Sequence, residues 1–299
     1  MGQDQWLASR FEGHRAHLKA VAYRMLGSLS EADDAVQEAW LRLARSGGDE
    51  VENLGGWLTT VVGRVCLDML RSRTSRREDP LEERLPDPVV APAADGMDPE
   101  QQVMVADAVG LALLVVLESL GPAERLAFVL HDMFAVPFEE IAEIVGRSPA
   151  ATRQLASRAR RRVQGATPVP DHDPVRRRKL VEAFLAAAHE GDFATLLSTL
   201  DPDVVLRVDA GAASGGLRVV RGAEAVAGQA LTFHRLSGGT ATILPAVVNG
   251  TAGVVSVVQG RPASVLSFTV SGGRIAAIDI LADPDRLSDL DLTALTPGH

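Results

Sequence analysis

The feature that most restricts this chain is a change of hydrophobic period toward residue 200. Before it, apolar residues recur three and four apart through HLKAVAYRMLG, EADDAVQEAWLRLA and GGWLTTVVGRVCLDMLRSRTSRR. That spacing lines one face of a helix. After it come short β-rich runs: DVVLRVDA, ATILPAVVNG, TAGVVSVVQG, SVLSFTVSGG and RIAAIDIL. Four of these are bounded by Gly or Asn-Gly, which predicts antiparallel strands. RRRKLVEAFLAAAHEGDFATLLSTL predicts two helices, the first stopped at Gly191, and RGAEAVAGQALTFHRL predicts one more between the first two strands. The expectation is a multidomain chain, two all-α parts followed by an α+β part.

Two stretches lack either period. DPLEERLPDPVVAPAADGMDP holds five prolines, and GATPVPDHDP is the second break. The predicted organisation is a helical domain over 1–78, a proline-rich linker over 79–100, and a second helical domain over 101–164. A linker over 165–175, an α+β domain over 176–287 and a tail over 288–299 follow. The helix EADDAVQEAWLRLA is expected to open on Ser30 and Asp33, a near capping box with Asp in place of Glu.

Cys66 is the single cysteine, so no internal disulfide can form, and VVGRVCLDML reads as the setting of a buried thiol. The longest apolar run with glycine allowed, 109–117, falls short of the roughly 20 residues a membrane helix needs. MGQDQWLASR lacks a signal-peptide pattern. A soluble protein of a reducing cytoplasm is expected, with no membrane partner.

Net charge is −9, but unevenly spread: zero over 1–78, −12 over 79–146, +6 over 147–164 and −3 over 165–299. Screening limits a partner's view to about 8 Å, so the local patch matters more than the total. The basic patch is VPFEEIAEIVGRSPAATRQLASRARRRV. Pro137 suits the start of one helix, with Phe138, Ile141, Ile144 and Val145 facing inward and Gly146 ending it. Ser148 is placed to cap a second helix and Pro149 to begin it. Ala151, Leu155, Ala159 and Val163 share that helix's inner face, which leaves Arg153, Ser157 and Arg160 opposite, with Gln154 and Arg161 beside them. Arg158 and Arg162 flank the stripe, where they could reach phosphates. This is helix-turn-helix geometry, whose second helix enters the major groove. Arg and Gln can there pair bidentately with guanine and adenine. Six arginines with no acid among them would repel one another on a merely solvated helix, so duplex DNA is the expected partner.

The earlier helices are less decisive. The third has Trp57, Val61, Val65 and Met69 on one face, and Arg64, Arg71, Arg73, Arg76 and Arg77 make its end basic. That end fits a DNA contact and a solvated terminus equally. Asp33, Asp34 and Glu38 make the preceding helix acidic along one edge, which fits a basic protein partner or a plain surface.

SEADDAVQEAWLRL, GGWLTTVVGRVCLDMLRSRTSRRE and LESLGPAERLAFVLHDMFAVPFEEIAEIVGRSPAATRQLASRARRRV resemble regions two and four of a bacterial sigma-70-type factor, in order and spacing, over roughly 10–164. The extracytoplasmic-function class, which has only those two sigma domains, is the nearest in form. The resemblance implies that Asp33, Asp34, Gln37 and Glu38 lie in the region docking on the clamp helices of RNA polymerase core enzyme, with the flap as a further contact. It implies that the loop before Gly55 and the helix through Arg64 and Arg71 meet the −10 promoter element. The helix 149–162 would read the −35 element. The C-terminal part resembles the SnoaL-like α+β cone, which a sub-group of these factors carries as an extension regulating activity in cis. LPDP at 85–88, VDAGAASGG at 208–216 and DPDRL at 283–287 resemble that sub-group's linker, Asp-Gly-Gly-Gly and Asn-Pro-Asp-Lys-Leu segments, with Ala210 and Ala212 departing from the second. A regulatory contact of Leu85 and Pro86 with Asp209 and Gly211 is implied.

SnoaL-like folds include enzymes, so catalysis is an alternative for the C-terminal part. Asp209, His234 and Asp279 form a candidate acid/base trio, but the only tyrosine, Tyr23, lies in the first helical part. His14 and His17 have no supporting Cys or third close His, and no dinucleotide or phosphate-loop motif occurs. The chain is read as a non-enzyme with no cofactor and no metal; a small-molecule ligand in the C-terminal domain stays open as a further partner. Two rival readings are a stand-alone DNA-binding regulator with a sensing domain and a SnoaL-like enzyme fused to a DNA-binding arm.

Overall fold

The computed structural model describes residues 3–46, 53–76, 84–92, 110–166, 171, 173–236, 241–292 and 295. They fall into two units, 1–81 with 113–166 and 82–112 with 167–299. The proline-rich stretch between the helical parts therefore belongs largely to the unit that also holds the α+β part.

In the first unit, α1 (Gln3–Leu26), α2 (Leu29–Ser46) and α3 (Leu54–Arg76) pack through Leu18, Val21 and Met25, through Ala32, Ala35, Val36, Ala39 and Leu43, and through Leu58, Val62 and Leu67. Alanines along α2 permit close axial approach at little entropic cost. The cap of α2 differs from expectation. The helix begins at Leu29, so Ser30 lies in its first turn and the Glu31 amide donates to Ser28 Oγ at 3.5 Å. Glu31 occupies the capping-box position three residues later, yet its carboxylate pairs with Arg73.

Helix α3 is buried on more than one side. Val61 and Val65 are buried as expected, Trp57 and Met69 only partly, and Leu58, Val62, Cys66 and Leu70 are buried too. The reason is tertiary: α3 contacts α1 and α2, and also helices from the second half of the unit. Burial pushes the Cys66 thiol well above its ordinary pKa. That second half comprises α5 (Pro122–Phe128), which runs on through a π turn at Val129–Met133, then α6 (Phe138–Val145) and α7 (Pro149–Ala166). Helix α4 (Leu111–Glu118) spans the boundary between units.

In the second unit, α8 (Pro174–Glu190), α9 (Phe193–Thr199) and α10 (Ala223–Leu236) cover one face of a seven-stranded sheet of order β1-β4-β5-β6-β7-β2-β3. Strands β4 (Thr242–Val248), β5 (Thr251–Val258), β6 (Arg261–Ser271) and β7 (Arg274–Leu281) form the expected antiparallel meander. Strand β2 (Leu200–Asp209) runs parallel to β7. Two strands were not foreseen: β3 (Leu217–Arg221), a short charged run, and β1 (Val90–Pro92), which adds to β4 from the segment read as a linker. Pro92 is tolerated there because an edge strand need not donate on its outer side.

Val204, Leu206, Val208, Ile278 and Ile280 join the helix-side core around Phe184, Leu196 and Phe268. Strand alternation sends Arg207, Asp209 and Asp279 to the other face, where Val255, Val257, Val265 and Leu281 meet Leu287 and Leu292 in a second core. Asp171 ties the second connecting stretch to the β6–β7 turn, its two oxygens accepting from the Gly272 and Gly273 amides at 2.9 and 2.8 Å.

Candidate nucleic-acid interface and linker clasp

Punctuation in the chain builds the helix-turn-helix. Gly146 closes α6 in the left-handed region at φ 68°, and the Ala151 amide donates to Ser148 Oγ at 3.2 Å. Thr152, Leu155, Ala156 and Ala159 are buried on α7. The inner face is thus turned slightly from the expected stripe, leaving Ala151 and Val163 only half-buried. Thr152 can be buried because its hydroxyl donates to the Ser148 carbonyl at 3.1 Å. Arg153, Gln154, Arg158, Arg161 and Arg162 are exposed, while Ser157 and Arg160 are half-buried.

The arginines are not without acids, as the local sequence suggested. Arg153 reaches Glu139 at 3.2 Å and lies over the Phe138 ring. Glu124 receives Arg158 at 3.0 Å and Arg162 at 3.5 Å, and Asp132 receives Arg160 at 2.5 Å. Helix self-repulsion is relieved by carboxylates 14 to 38 positions away, which no local window reveals.

On α2, Asp33, Asp34 and Gln37 are exposed and Glu38 is half-buried. Asp33 pairs with Lys19 at 2.8 Å and Glu38 with Arg42 at 2.9 Å. Leu41, a large apolar residue of this helix, is 44% exposed. It lies seven residues past Asp34 and extends the same stripe, so it belongs to the candidate docking face. On α3, Arg64 and Arg71 are exposed, the latter 3.9 Å from Asp68. Arg73 is instead held inside the unit, paired with Glu31 and donating to the Leu26 carbonyl at 3.2 Å.

In the second unit the proline-rich segment is clasped. The Leu85 amide donates to Asp209 Oδ2 at 2.9 Å, and Leu85 and Pro86 are buried. Arg286 on α11 (Pro284–Ser288) donates to Asp209 at 2.7 Å, to Asp87 at 2.5 Å and to the Leu85 carbonyl at 2.6 Å. Asn249 completes the hold, its side chain accepting from the Val89 amide at 3.0 Å and its own amide donating to the Val89 carbonyl at 2.8 Å. Gly211 donates to Asp209 Oδ1 at 3.2 Å with φ at 79°. A Cβ there would meet the Asp283 carboxylate at 2.7 Å, so glycine is required on two counts. Ala210 and Ala212 have no positive φ, and the departures fall where an L-residue fits. Sequence reasoning named the LPDP and DPDRL segments without singling out Asp87 or Arg286 in them, and it missed Asn249, whose signal was the Asn-Gly turn.

Of the candidate acid/base trio, Asp209 and Asp279 share one face of the sheet on adjacent strands, and His234 lies on a helix of the other face. Asp209 is engaged by Arg286, Asp279 by Arg207 at 2.6 Å, and His234 meets His189 edge-on at 4.9 Å on the helix side. Burial raises the Asp279 pKa against the opposing pull of Arg207. Among the described residues no cluster of His, Cys, Asp or Glu could hold a metal, and no helix is long and apolar enough to cross a membrane.

Comparison with known proteins matches residues 10–76 to Sigma-70 region 2 and residues 110–163 to Sigma-70, region 4. The chain is 42% identical to the ECF RNA polymerase sigma factor SigJ of Mycobacterium tuberculosis, covering 94% of this chain and 93% of that one. It is 37% identical to the probable ECF RNA polymerase sigma factor SigI of the same species, covering 97% and 98%. The crystal structure of M. tuberculosis SigJ superposes with a TM-score of 0.77 at 38% identity over 95% of this chain and 99% of that one. Two helical sigma regions in this order, with a mixed-sheet extension shared over nearly the full length, place the chain in the extracytoplasmic-function class of the sigma-70 family, in the sub-group with a C-terminal SnoaL-like domain.

Proposed function

We propose that this chain directs RNA polymerase core enzyme to specific promoters in the cytoplasm and has no catalytic chemistry of its own. The observation that carries the reading is the pairing, in one unit, of an α2 stripe (exposed Asp34, Gln37 and Leu41 with half-buried Glu38) with the capped helix-turn-helix of α6 and α7. The stripe would dock on the clamp helices. Arg64 and Arg71 would meet the −10 element, and Arg153, Gln154, Ser157, Arg158, Arg160 and Arg161, opened by Ser148, the −35 element. Each module alone is a weak binder; a polymerase holding both raises the effective concentration of the second, which can multiply affinity by about 10² or more.

The C-terminal domain would act in cis by gripping residues 85–92 of the segment that joins the two sigma regions. Separate engagement of Asp209, Asp279 and His234 supports a brace over an enzyme. Transcription from purified core enzyme and genomic promoter templates tests the reading. Promoter-specific transcripts should require both components, and Leu41→Glu should reduce them at least several-fold while leaving the circular dichroism spectrum unchanged. Sequence-specific DNA binding without core enzyme, and no transcripts with it, would favour a stand-alone regulator.

A further inference from the structure

Glu124 and Asp132 stand apart from the other acids of the first unit. Their side chains are 19% and 20% exposed, and both are spent on arginines of α7. Glu124 takes Arg158 and Arg162, one turn apart, on its two oxygens. Asp132 Oδ1 takes Arg160 through both Nε and Nη2, at 2.9 and 2.5 Å. Among the described residues no carboxylate pairs with Arg147 or Arg161. Half the arginines of the DNA-facing stretch are therefore held by these two acids, and Glu139, 66% exposed, holds Arg153 more loosely.

We propose that Glu124 and Asp132 are specificity-determining residues: internal counter-ions that DNA must displace before α7 can use Arg158, Arg160 and Arg162. The proposal deepens the reading of α7 as a DNA-contacting helix and rests on it. Non-specific affinity comes almost wholly from arginine attraction to phosphate, so a carboxylate already on the guanidinium subtracts most from that term. At a matching site a well-aligned phosphate or guanine edge replaces the lost pair with a charge-assisted, bidentate bond, and little is lost. The acids thus suppress random-sequence binding more than promoter binding.

The test uses the full chain, alone and with core enzyme, in fluorescence anisotropy on a promoter duplex and a scrambled duplex across a salt series. Asp132→Asn and Glu124→Gln should each tighten binding to the scrambled duplex roughly two- to fivefold at low salt, the range a partly exposed ion pair can withhold. The salt slope should steepen by about 0.9 for each phosphate newly engaged. The promoter complex should tighten less, so discrimination falls. Glu143→Gln removes the same charge from an exposed α6 position that pairs with no arginine among the described residues, and it should leave discrimination unchanged. An equal effect of Glu143→Gln, or weaker binding to both duplexes by folded Asp132→Asn, overturns the proposal. Should Glu124→Gln unfold, Asp132→Asn carries the test alone. Loss of promoter preference by the wild-type chain with core enzyme would instead sink the sigma-factor reading, while the scrambled-duplex arm still reads the counter-ion effect.

Discussion

Arg153 and Arg162 lie nine residues apart on α7 and differ in surroundings. Arg153 is exposed beside Phe138 on the outward face, whereas Arg162 sits at the flank with Glu124 and the Ser119 carbonyl. Arg153→Ala should relax base preference, at about 1–3 kcal/mol if its contact is bidentate, and Arg162→Ala should weaken every single-base variant of the promoter alike. Binding to a panel of single-base promoter variants separates the two. Asp279 makes a prediction about pH. Its folded-state pKa lies above the unfolded value because burial outweighs the Arg207 guanidinium. The native state therefore holds this proton more tightly, and the stability it contributes is full below the ordinary aspartate range and lost as pH rises through the folded value. Asp279→Asn removes that dependence, so calorimetric midpoints of the variant should fall less than those of the wild type between mildly acidic and neutral pH.

Individual elements were readable to the extent that their signals were local. Gly146, Ser148 and Pro149 delimit α6 and α7 within four residues, and the structure uses each as a stop, a cap and a start. The meander β4–β7 followed from its Gly and Asn-Gly turns. Strand β1 was not legible, because VAP has no period to detect and becomes a strand only by pairing with Pro245-containing β4. The cap of α2 was misplaced by two residues because Ser28 and Ser30 are both good caps, and the packing of Ala32 and Val36 chooses between them. The 208–216 loop was legible as a motif and its contact with Leu85 was implied by the resemblance, whereas the holds by Arg286 and Asn249 were not legible. Gly211→Ala should strain that loop by about 1–3 kcal/mol and loosen the clasp, read as faster amide exchange at Leu85 and Val89 with the meander still protected.

For the whole molecule, the clasp grips the segment that joins the two sigma regions. Among the described residues between Arg76 and Leu111, Leu85 and Val89 are anchored to the α+β part through Asp209 and Asn249. On the proposed cis action, a tether anchored in this way would alter how often both DNA-reading modules engage together. Deleting 168–299 removes Asp209, Asn249 and Arg286 at once and leaves Leu85 and Ala91 uncovered. Promoter output in a purified transcription system should then change relative to the full chain; equal output would remove the domain from regulation.

What the amino-acid sequence determined by itself was everything written within about one turn of helix or one hairpin: the two periods, the caps, the turn glycines, and the order of the two sigma regions. Only tertiary structure decided which charges meet. Leu85, Asp87, Asp209, Asn249 and Arg286 form one clasp across some 200 positions, and the arginines of α7 find their acids on α5, α6 and the π turn between them. Charge pairing depends on distance in space, and a sequence orders its residues only along the chain.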